Sequence, residues 1–129
     1  MENKFLVPTG FKDDLSFDTF VEHQYKNLII NFFRENGFSL VKTPLIEFSS
    51  NLDRNTLSLS SKKKEAKLSI RNDITPQIIR VATSRLSKKT RPLKLCYYGE
   101  VVRKKGTILR PERQFQQVGA EIIGAESYK

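Results

Sequence analysis

Apolar residues recur at three- and four-residue steps in the segment SFDTFVEHQYKNLIINFFRENG near the start of the chain. This spacing is typical of an amphipathic helix, because one helical turn holds about 3.6 residues. Ser16 fits an N-cap, and Gly37 fits the residue that follows a helix end. We predict a helix over residues 17–36 with these apolar side chains in the core: Phe17, Phe20, Val21, Tyr25, Leu28, Ile29, Phe32 and Phe33.

Alternating apolar and polar positions predict two strands after this helix. The first, FSLVKTPLIEF, is interrupted by Pro44, which cannot donate a hydrogen bond to a ladder and therefore places the strand at a sheet edge or an interface. The second, AKLSIR, alternates Leu68 and Ile70 with Lys67, Ser69 and Arg71, a pattern typical of a strand with one face in water.

A second helix is predicted directly after AKLSIR, because Thr75 and Pro76 form a natural pair of N-cap and first helical residue. The segment LKLCYYGEVV predicts a further strand, in which Gly99 marks a bulge or a close approach of another group. Cys96 in this strand fits a small core residue. The buried stripe of the second helix comprises Ile78, Ile79, Ala82 and Leu86.

The segment RKKGTILRPERQFQQVGAEIIG predicts a β-hairpin with a loop rich in cations and a returning strand over residues 113–123. The two-residue period of a strand puts Phe115, Gln117, Gly119 and Glu121 on one face, while the opposite face is mostly small and apolar. Because glycine has no side chain, it leaves room for a small ligand between the amide and the carboxylate. Those two groups suit an ammonium group. The alternative is a polar face that is only exposed to water.

Two further groups of polar residues are candidates for ligand contacts. Arg71, Asp73 and Thr75 lie where a strand ends and a helix begins, although Asp73 and Thr75 also fit simple capping residues. Arg103 and Arg113 stand ten positions apart at the two feet of the hairpin loop, so both can face one anion. The combination suits a ligand that carries a phosphate or carboxylate as well as an amine.

The order of the elements predicts an α+β fold in a single domain over residues 1–129. One long helix is followed by strands joined in hairpins, with a second helix inserted, which is typical of an antiparallel sheet with flanking helices. A chain of 129 residues is large enough for one core and too small for two.

The chain carries a formal net charge of +9, from 23 Lys and Arg against 14 Asp and Glu. This excess raises RNA as a candidate partner. The densest cluster, Lys62–Lys64, lies in a stretch rich in Ser and Asn without aromatic residues, and this composition is typical of a solvated loop. We therefore do not expect nucleic acid as the partner, and a small basic RNA-binding module stays an alternative.

The single cysteine, Cys96, excludes a disulfide within the chain and every metal motif built from several cysteines. We expect no metal site and no cofactor. No apolar run approaches the roughly 18 residues of a spanning helix, and the N-terminus lacks the basic-then-apolar order of a signal peptide. The expected location is the cytoplasm, without membrane contact.

Five segments, in their order and spacing, resemble the first part of the catalytic fold of class II histidyl-tRNA synthetases: VPTGFKDD, GFSLVKTPLIEF, IRNDITPQIIR, LCYYGEVVRK and RQFQQVGAEIIG. They resemble still more closely the synthetase-like regulatory subunits of ATP phosphoribosyltransferase, which have lost aminoacylation and serve histidine biosynthesis. The resemblance runs from Pro8 to Gly124 and implies a partial class II synthetase-like fold.

The resemblance also implies roles for single residues. Pro44 matches the proline of the first class II motif, which lies at the family's dimer interface. Arg103 matches the arginine that holds the α-phosphate of ATP, and Phe115 matches the ring that stacks on adenine. The amino-acid-binding residues, for which histidine is the implied ligand, match Asp73, Thr75, Gln117 and Glu121.

Three departures from the synthetase pattern favour a regulatory role. Lys105 stands where the synthetase has a glutamate that accepts from the adenine amino group, and lysine has no acceptor. The string NDITPQ resembles the regulatory subunits rather than the Pro-Glu-Gly-Thr of the synthetases. The chain also ends at Lys129, before the third motif with its γ-phosphate arginine, so we expect either a truncated homologue or the first part of a longer regulator.

The resulting hypothesis is a noncatalytic regulatory subunit that binds the short-form catalytic subunit of ATP phosphoribosyltransferase. A homo-oligomer or hetero-oligomer is expected, because apolar surface should be exposed where the rest of the class II sheet would sit. The alternative is an N-terminal catalytic-domain fragment of a histidyl-tRNA synthetase.

Overall fold

The computed structural model describes residues 6–49, 55–59 and 67–125. Its elements in chain order are α1 (Ser16–Glu35), β1 (Ser39–Leu40), β2 (Ile46–Phe48), β3 (Leu57–Leu59), β4 (Leu68–Ile70), α2 (Thr75–Thr83), β5 (Leu93–Val102) and β6 (Gln114–Ile123). The lysine cluster at 62–64 lies outside the described residues, so the loop predicted there stays a prediction. No helix in the described ranges is long and apolar enough to cross a bilayer.

The strands form two sheets of three strands instead of one antiparallel sheet. The first sheet has the order β1-β5-β6 and the second has the order β2-β4-β3. β1 pairs parallel to β5, and the other strand pairs are antiparallel. The α+β class predicted from the sequence is confirmed, while the number of sheets and the parallel pair differ from the prediction.

Pro44 separates two short strands that the sequence predicts as one. β1 ends before it and β2 begins after it, and the two strands belong to different sheets. Each strand lies at an edge of its sheet, as expected from a residue that cannot donate to a ladder. The carbonyl of Pro44 is used instead, because it accepts a 2.9 Å hydrogen bond from Gln77 Nε2.

β5 and β6 form a long hairpin that makes up most of the first sheet. Its register runs without interruption from Leu93↔Ile123 to Val102↔Gln114. Gly99 pairs directly with Gln117, so the predicted bulge is wrong and the predicted close approach is confirmed. A Cβ atom at Gly99 would collide with the guanidinium of Arg71.

α1 presents most of its apolar stripe to solvent, which contradicts the predicted core packing. Ile30 is 7% exposed and is the one buried residue of the helix, whereas Phe17 is 75% and Phe32 is 60% exposed. The first sheet has three strands and spans only about 10 Å across them, which limits the apolar surface that it can cover. The described residues thus expose a large apolar surface, and α1 carries much of it.

The two ends of α1 differ in how well the sequence predicts them. Ser16 is the first helical residue, with φ of 41°, and makes no N-cap, since the residue before it, Leu15, occupies that position without a side-chain cap. At the other end Gly37 has φ of 82°, and Phe38 N donates to Phe33 O at 3.0 Å. These features form a Schellman motif, which confirms the predicted helix stop.

The core lies between α2 and the first sheet. Its buried members are Ile74, Ile78, Ala82, Leu95, Tyr97 and Val101. Ile79, which the sequence places in the buried stripe, is 49% exposed. The N-cap of α2 is Ile74 and not Thr75, because the Thr75 side chain is directed to β6.

Arg71 joins the two sheets from the end of β4. The alternation in AKLSIR is the reverse of the prediction, since Ser69 is buried and Arg71 is only 5% exposed. The guanidinium donates from Nε to Glu100 O at 2.8 Å and from Nη1 to Thr43 O at 2.9 Å. Burial lowers the pKa of this guanidinium, and the charge of Glu47 opposes the shift. Carbonyl partners make the burial tolerable, because a buried charge has to be hydrogen-bonded.

We predict that Gly99→Ala lowers the free energy of unfolding by about 1–3 kcal/mol, the usual range for overpacking. The added methyl group displaces the Arg71 guanidinium from its carbonyl partners. Urea unfolding of the variant measures the effect. In an Arg71→Ala background the same substitution should cost clearly less, and an equal cost in both backgrounds would contradict the proposed clash.

The exposure of α1 generates a second prediction about stability. Ile30→Ala should lower the free energy of unfolding by about 2–4 kcal/mol, because a buried side chain leaves a cavity. Phe32→Ala should lower it by less than about 1 kcal/mol, because its ring is already mostly in water. Thermal or urea unfolding of the two variants separates the cases. A larger loss of unfolding free energy for Phe32→Ala than for Ile30→Ala would show that Phe32 is part of the core, as the sequence predicts.

Candidate functional site

The polar face of β6 lies beneath the N-terminus of α2, and this arrangement brings together the four residues predicted to bind an amino acid. Gln117 and Glu121 come from β6, and Asp73 and Thr75 come from the turn that starts α2. All four side chains are half-buried and are connected by hydrogen bonds through two short networks. The hairpin supplies the floor and the helix start supplies the wall.

The first network links Gln117 to the start of α2. Gln117 Nε2 donates to Asp73 Oδ1 at 2.9 Å, and Gln117 Oε1 accepts from Ile74 N at 2.9 Å. Asp73 Oδ1 also accepts from Thr75 N at 3.2 Å. Since the first N–H groups of a helix lack intrahelical partners, these two residues act as the cap that the helix's own N-cap does not provide. The capping role that the sequence leaves open for Asp73 is therefore observed.

The second network contains Tyr97, which sequence reasoning did not include in the site. Thr75 Oγ1 donates to Glu121 Oε1 at 2.9 Å, and Tyr97 Oη lies 3.0 Å from Thr75 Oγ1 and 3.2 Å from Glu121 Oε1. Burial raises the pKa of the Tyr97 hydroxyl, and the charge of Glu121 adds to the rise. Tyr97 is the cross-strand partner of Gly119. That pairing of a large residue with glycine is the signal that could have identified it.

The space above Gly119 is occupied, contrary to the sequence-based expectation of a gap for a ligand. A Cβ atom at Gly119 would lie 2.5 Å from Tyr97 Oη and 2.7 Å from Tyr97 Cζ. Glycine is therefore required at this position because a tyrosine ring lies against its backbone. A ligand has to contact the carboxylates from above this ring.

Two carboxylate oxygens stay available for such a ligand. Among the described residues, no donor is hydrogen-bonded to Asp73 Oδ2 or to Glu121 Oε2. Ionised carboxylates accept hydrogen bonds and do not donate them, so these atoms suit an ammonium or another N–H donor. The geometry is compatible with the predicted amino-acid site.

A second part of the site lies next to Phe115, towards the hairpin loop. The guanidinium groups of Arg103 and Arg110 lie over the Phe115 ring, each 5.0 Å from its centroid. A groove of about 670 Å³ is lined by these three residues together with Lys12 and Gln117. Asp14, Glu22 and Glu112 also line the groove, so its charge is mixed. The two guanidinium groups at the Phe115 ring suit an anionic ligand with a flat ring.

Arg113 is engaged away from this groove, so the predicted pairing of Arg103 with Arg113 is wrong. Arg113 donates from Nε to Arg103 O at 3.0 Å and from Nη1 to Thr9 O at 3.1 Å. Its guanidinium also lies 4.8 Å from the centroid of Phe11. Two backbone carbonyls thus hold Arg113 against the N-terminal segment, and Arg110 takes the position beside Phe115.

Two other predicted positions, Pro44 and Lys105, are exposed to solvent. Pro44 is exposed, and its role at a dimer interface stays a prediction. Lys105 is exposed, and its backbone N donates to Asn55 Oδ1 at 2.9 Å.

Comparison with known proteins gives close sequence relatives for nearly the whole chain. The protein of Rhodospirillum rubrum is 43% identical over 128 residues, and that of Paramagnetospirillum magneticum is 39% identical over 132 residues. Both are named ATP phosphoribosyltransferase regulatory subunit. The matches cover 93% and 96% of this chain, but the chain spans only 33% and 35% of the length of these curated relatives.

Solved structures share the fold. The ATP phosphoribosyltransferase regulatory subunit/histidyl-tRNA synthetase of Bacillus halodurans matches with a TM-score of 0.82 and 25% identity, over 96% of this chain and 33% of that one. The histidyl-tRNA synthetase of S. aureus matches with a TM-score of 0.76 and 24% identity, over 95% of this chain and 30% of that one.

The family model described as histidyl-tRNA synthetase matches residues 10–129. The match includes both helices and both sheets, together with the four residues predicted to bind an amino acid. The chain therefore belongs to the histidyl-tRNA synthetase family.

Proposed function

We propose that this chain is a noncatalytic regulatory module of ATP phosphoribosyltransferase, the enzyme of the first step of histidine biosynthesis. It binds the short-form catalytic subunit and senses histidine through the site under α2. The observation that carries the proposal is that one part of the site keeps the family's residues and the other part does not. The amino-acid residues are assembled, whereas the nucleotide part has Lys105 in place of an adenine acceptor. The relatives at 39–43% identity carry the name of that regulatory subunit, which supports it.

The amino-acid part has the chemistry that histidine binding requires. Asp73 and Glu121 each offer one carboxylate oxygen without a partner among the described residues. An α-ammonium group or an imidazole N–H can donate to an oxygen of this kind. Thr75 and Gln117 are already engaged in holding these carboxylates, so the ligand meets acceptors whose positions are set in advance.

The nucleotide part is less complete. Arg103 is available for a phosphate, but Lys105 offers donors and no acceptor to an adenine amino group. Arg103 and Arg110 both lie over the Phe115 ring, so an adenine that stacks on a face covered by either has to displace it. Adenylation depends on every phosphate clamp being in position, whereas histidine binding depends only on the carboxylates and the amide.

The hairpin loop supplies a candidate contact surface for the catalytic subunit. Ile108 and Leu109 are fully exposed at its tip, between the cations Lys105 and Arg110. Hydrogen bonds between Thr107 and Arg110 hold this turn, including one of 2.8 Å from Thr107 N to Arg110 O. Two aliphatic side chains between cations suit an apolar depression with an acidic rim.

A catalytic-domain fragment of a histidyl-tRNA synthetase is the second candidate. The observation in its favour is the groove beside Phe115, which is lined by Arg103, the residue that the family resemblance matches to a phosphate-binding arginine. Lys105 counts against it.

We expect the chain to bind the short-form catalytic subunit from the same organism and to change its rate or its inhibition by histidine. Such an effect requires a preference for one state of the partner, because equal affinity for both states shifts nothing. Glu121→Gln should weaken histidine binding by about 1.5–3 kcal/mol, which is usual for a hydrogen bond to a charged group. The experiment is a calorimetric and kinetic titration of the catalytic subunit, with and without histidine.

Matched variants separate the partner from the pocket. Glu35→Gln, at the exposed end of α1, removes the same charge and should leave both effects unchanged. Leu109→Ser should weaken the complex and leave histidine binding intact. No complex and no change in rate, with a chain shown to be folded, would refute the regulatory role. A histidine response that survives Glu121→Gln would support binding to the catalytic subunit but would show that histidine does not act through this pocket.

The same proposal predicts the absence of a reaction. Histidine-dependent exchange of pyrophosphate into ATP should be undetectable, since the adenine acceptor is replaced by Lys105. The assay uses radiolabelled pyrophosphate, with a complete histidyl-tRNA synthetase as the positive control. Robust exchange by this chain would establish the synthetase alternative.

A further inference from the structure

Tyr97 is a buried residue whose polar hydroxyl has no role in the proposed function. It is 4% exposed, and its ring belongs to the core cluster with Ile74, Ile78 and Val101. Its hydroxyl is nevertheless within hydrogen-bond distance of two residues of the amino-acid site, Thr75 and Glu121. A phenylalanine would fill the same core space, so the hydroxyl requires its own explanation.

A count of protons shows what the hydroxyl does. An ionised Glu121 can only accept, and Thr75 Oγ1 donates to its Oε1 at 2.9 Å. The Tyr97 proton then goes either to Glu121 Oε1 at 3.2 Å or to Thr75 Oγ1 at 3.0 Å. In the first arrangement both hydroxyl groups donate to Oε1, and in the second Thr75 donates to Oε1 while Tyr97 donates to Thr75. Either arrangement leaves Oε2 for a donor from outside. The carboxylate is therefore held through Oε1, and Oε2 has no partner among the described residues.

Gly119 makes this arrangement possible. Its missing side chain admits the end of the Tyr97 ring, because a Cβ atom there would lie 2.5 Å from Oη. The pair Tyr97↔Gly119 also stands between Gln117 and Glu121 on the floor of the site, since β6 alternates faces. The ring thus forms part of that floor and sets how deep a ligand can lie.

We infer that Tyr97 is a positioning residue of the amino-acid site, which orients Glu121 towards the ligand and forms the floor over Gly119. This inference rests on the proposed function, because it concerns the histidine site of the regulatory module. Burial and the neighbouring carboxylates Glu121 and Asp73 raise the pKa of the Tyr97 hydroxyl, so the hydroxyl keeps its proton near neutral pH and continues to donate.

The test is a double-mutant cycle read by calorimetric titration with L-histidine. Tyr97→Phe should weaken histidine binding about tenfold in the otherwise unchanged chain, the usual order for one hydrogen bond. In the Glu121→Gln background the same substitution should change the affinity by less than about twofold, because the carboxylate that Tyr97 positions is gone. Tyr98→Phe is the matched control, since Tyr98 lies on the opposite face of β5 and should change nothing.

A second measurement does not depend on histidine. The part of the alkaline tyrosine absorbance that Tyr97→Phe removes should appear at lower pH in Glu121→Gln than in the unchanged chain, because the neighbouring negative charge is removed. In Tyr97→Phe the Glu121→Gln substitution should leave the titration unaltered. Circular dichroism of each variant confirms that it is folded below the pH of measurement.

The outcomes separate the inference from the proposed function. A loss of affinity in Tyr97→Phe that is equal in both backgrounds would mean that Tyr97 acts through packing alone, and it would overturn the inference. Unchanged affinity in Tyr97→Phe would do the same while leaving the histidine site in place. If the unchanged chain binds no histidine, the proposed function fails, and the tyrosine titration still decides whether Tyr97 and Glu121 are paired.

Discussion

The buried guanidinium of Arg71 holds the two sheets in one structure, and the positions of the other elements depend on it. It reaches Thr43 O between β1 and β2, Glu100 O in β5 and Gln77 Oε1 in α2. Glu47 is connected to it through Gln77, whose Nε2 donates to Glu47 Oε2 at 2.9 Å. Breaking these hydrogen bonds would leave a buried charge without partners, which costs several kcal/mol of stability. The segments that supply the partners are therefore held in fixed positions relative to Arg71. The core of this chain is organised around a cation as well as around apolar residues.

This constraint extends to the candidate site. Gln77 is in the first turn of α2, and Arg71 thereby helps to fix the end of the helix that carries Asp73 and Thr75. From the other side, Gln117 holds the Ile74 amide and Asp73. The helix start is thus held between an arginine that joins the sheets and a glutamine on the floor. The site residues gain their positions from contacts that no ligand has to supply.

Sequence reasoning predicted well what depends on local pattern. The strand LKLCYYGEVV coincides with β5, and the returning strand differs from β6 by one residue, because long alternation and a hairpin leave little freedom. Strand period places Gln117 and Glu121 on one face of β6, whereas the amino-acid-binding role predicted for Asp73 and Thr75 comes from the family resemblance. Periodicity also identified the apolar face of α1, but it cannot reveal whether this chain contains an element to cover that face. Arg71 and Arg113 were misplaced because their partners are carbonyls far away in the chain.

The hairpin of β5 and β6 has a consequence for the order in which the site forms. Its pairs join residues 12 to 30 positions apart, from Val102↔Gln114 to Leu93↔Ile123, whereas Gln117 and Asp73 are 44 positions apart. Since loop closure becomes less favourable with length, the floor of the site can form before the helix start docks on it. In the folded chain, the contact between Gln117 on β6 and the start of α2 can therefore open locally without global unfolding. A bound amino acid that contacts both Glu121 and Asp73 would close that opening, and its affinity would appear as slower hydrogen exchange at the Ile74 amide.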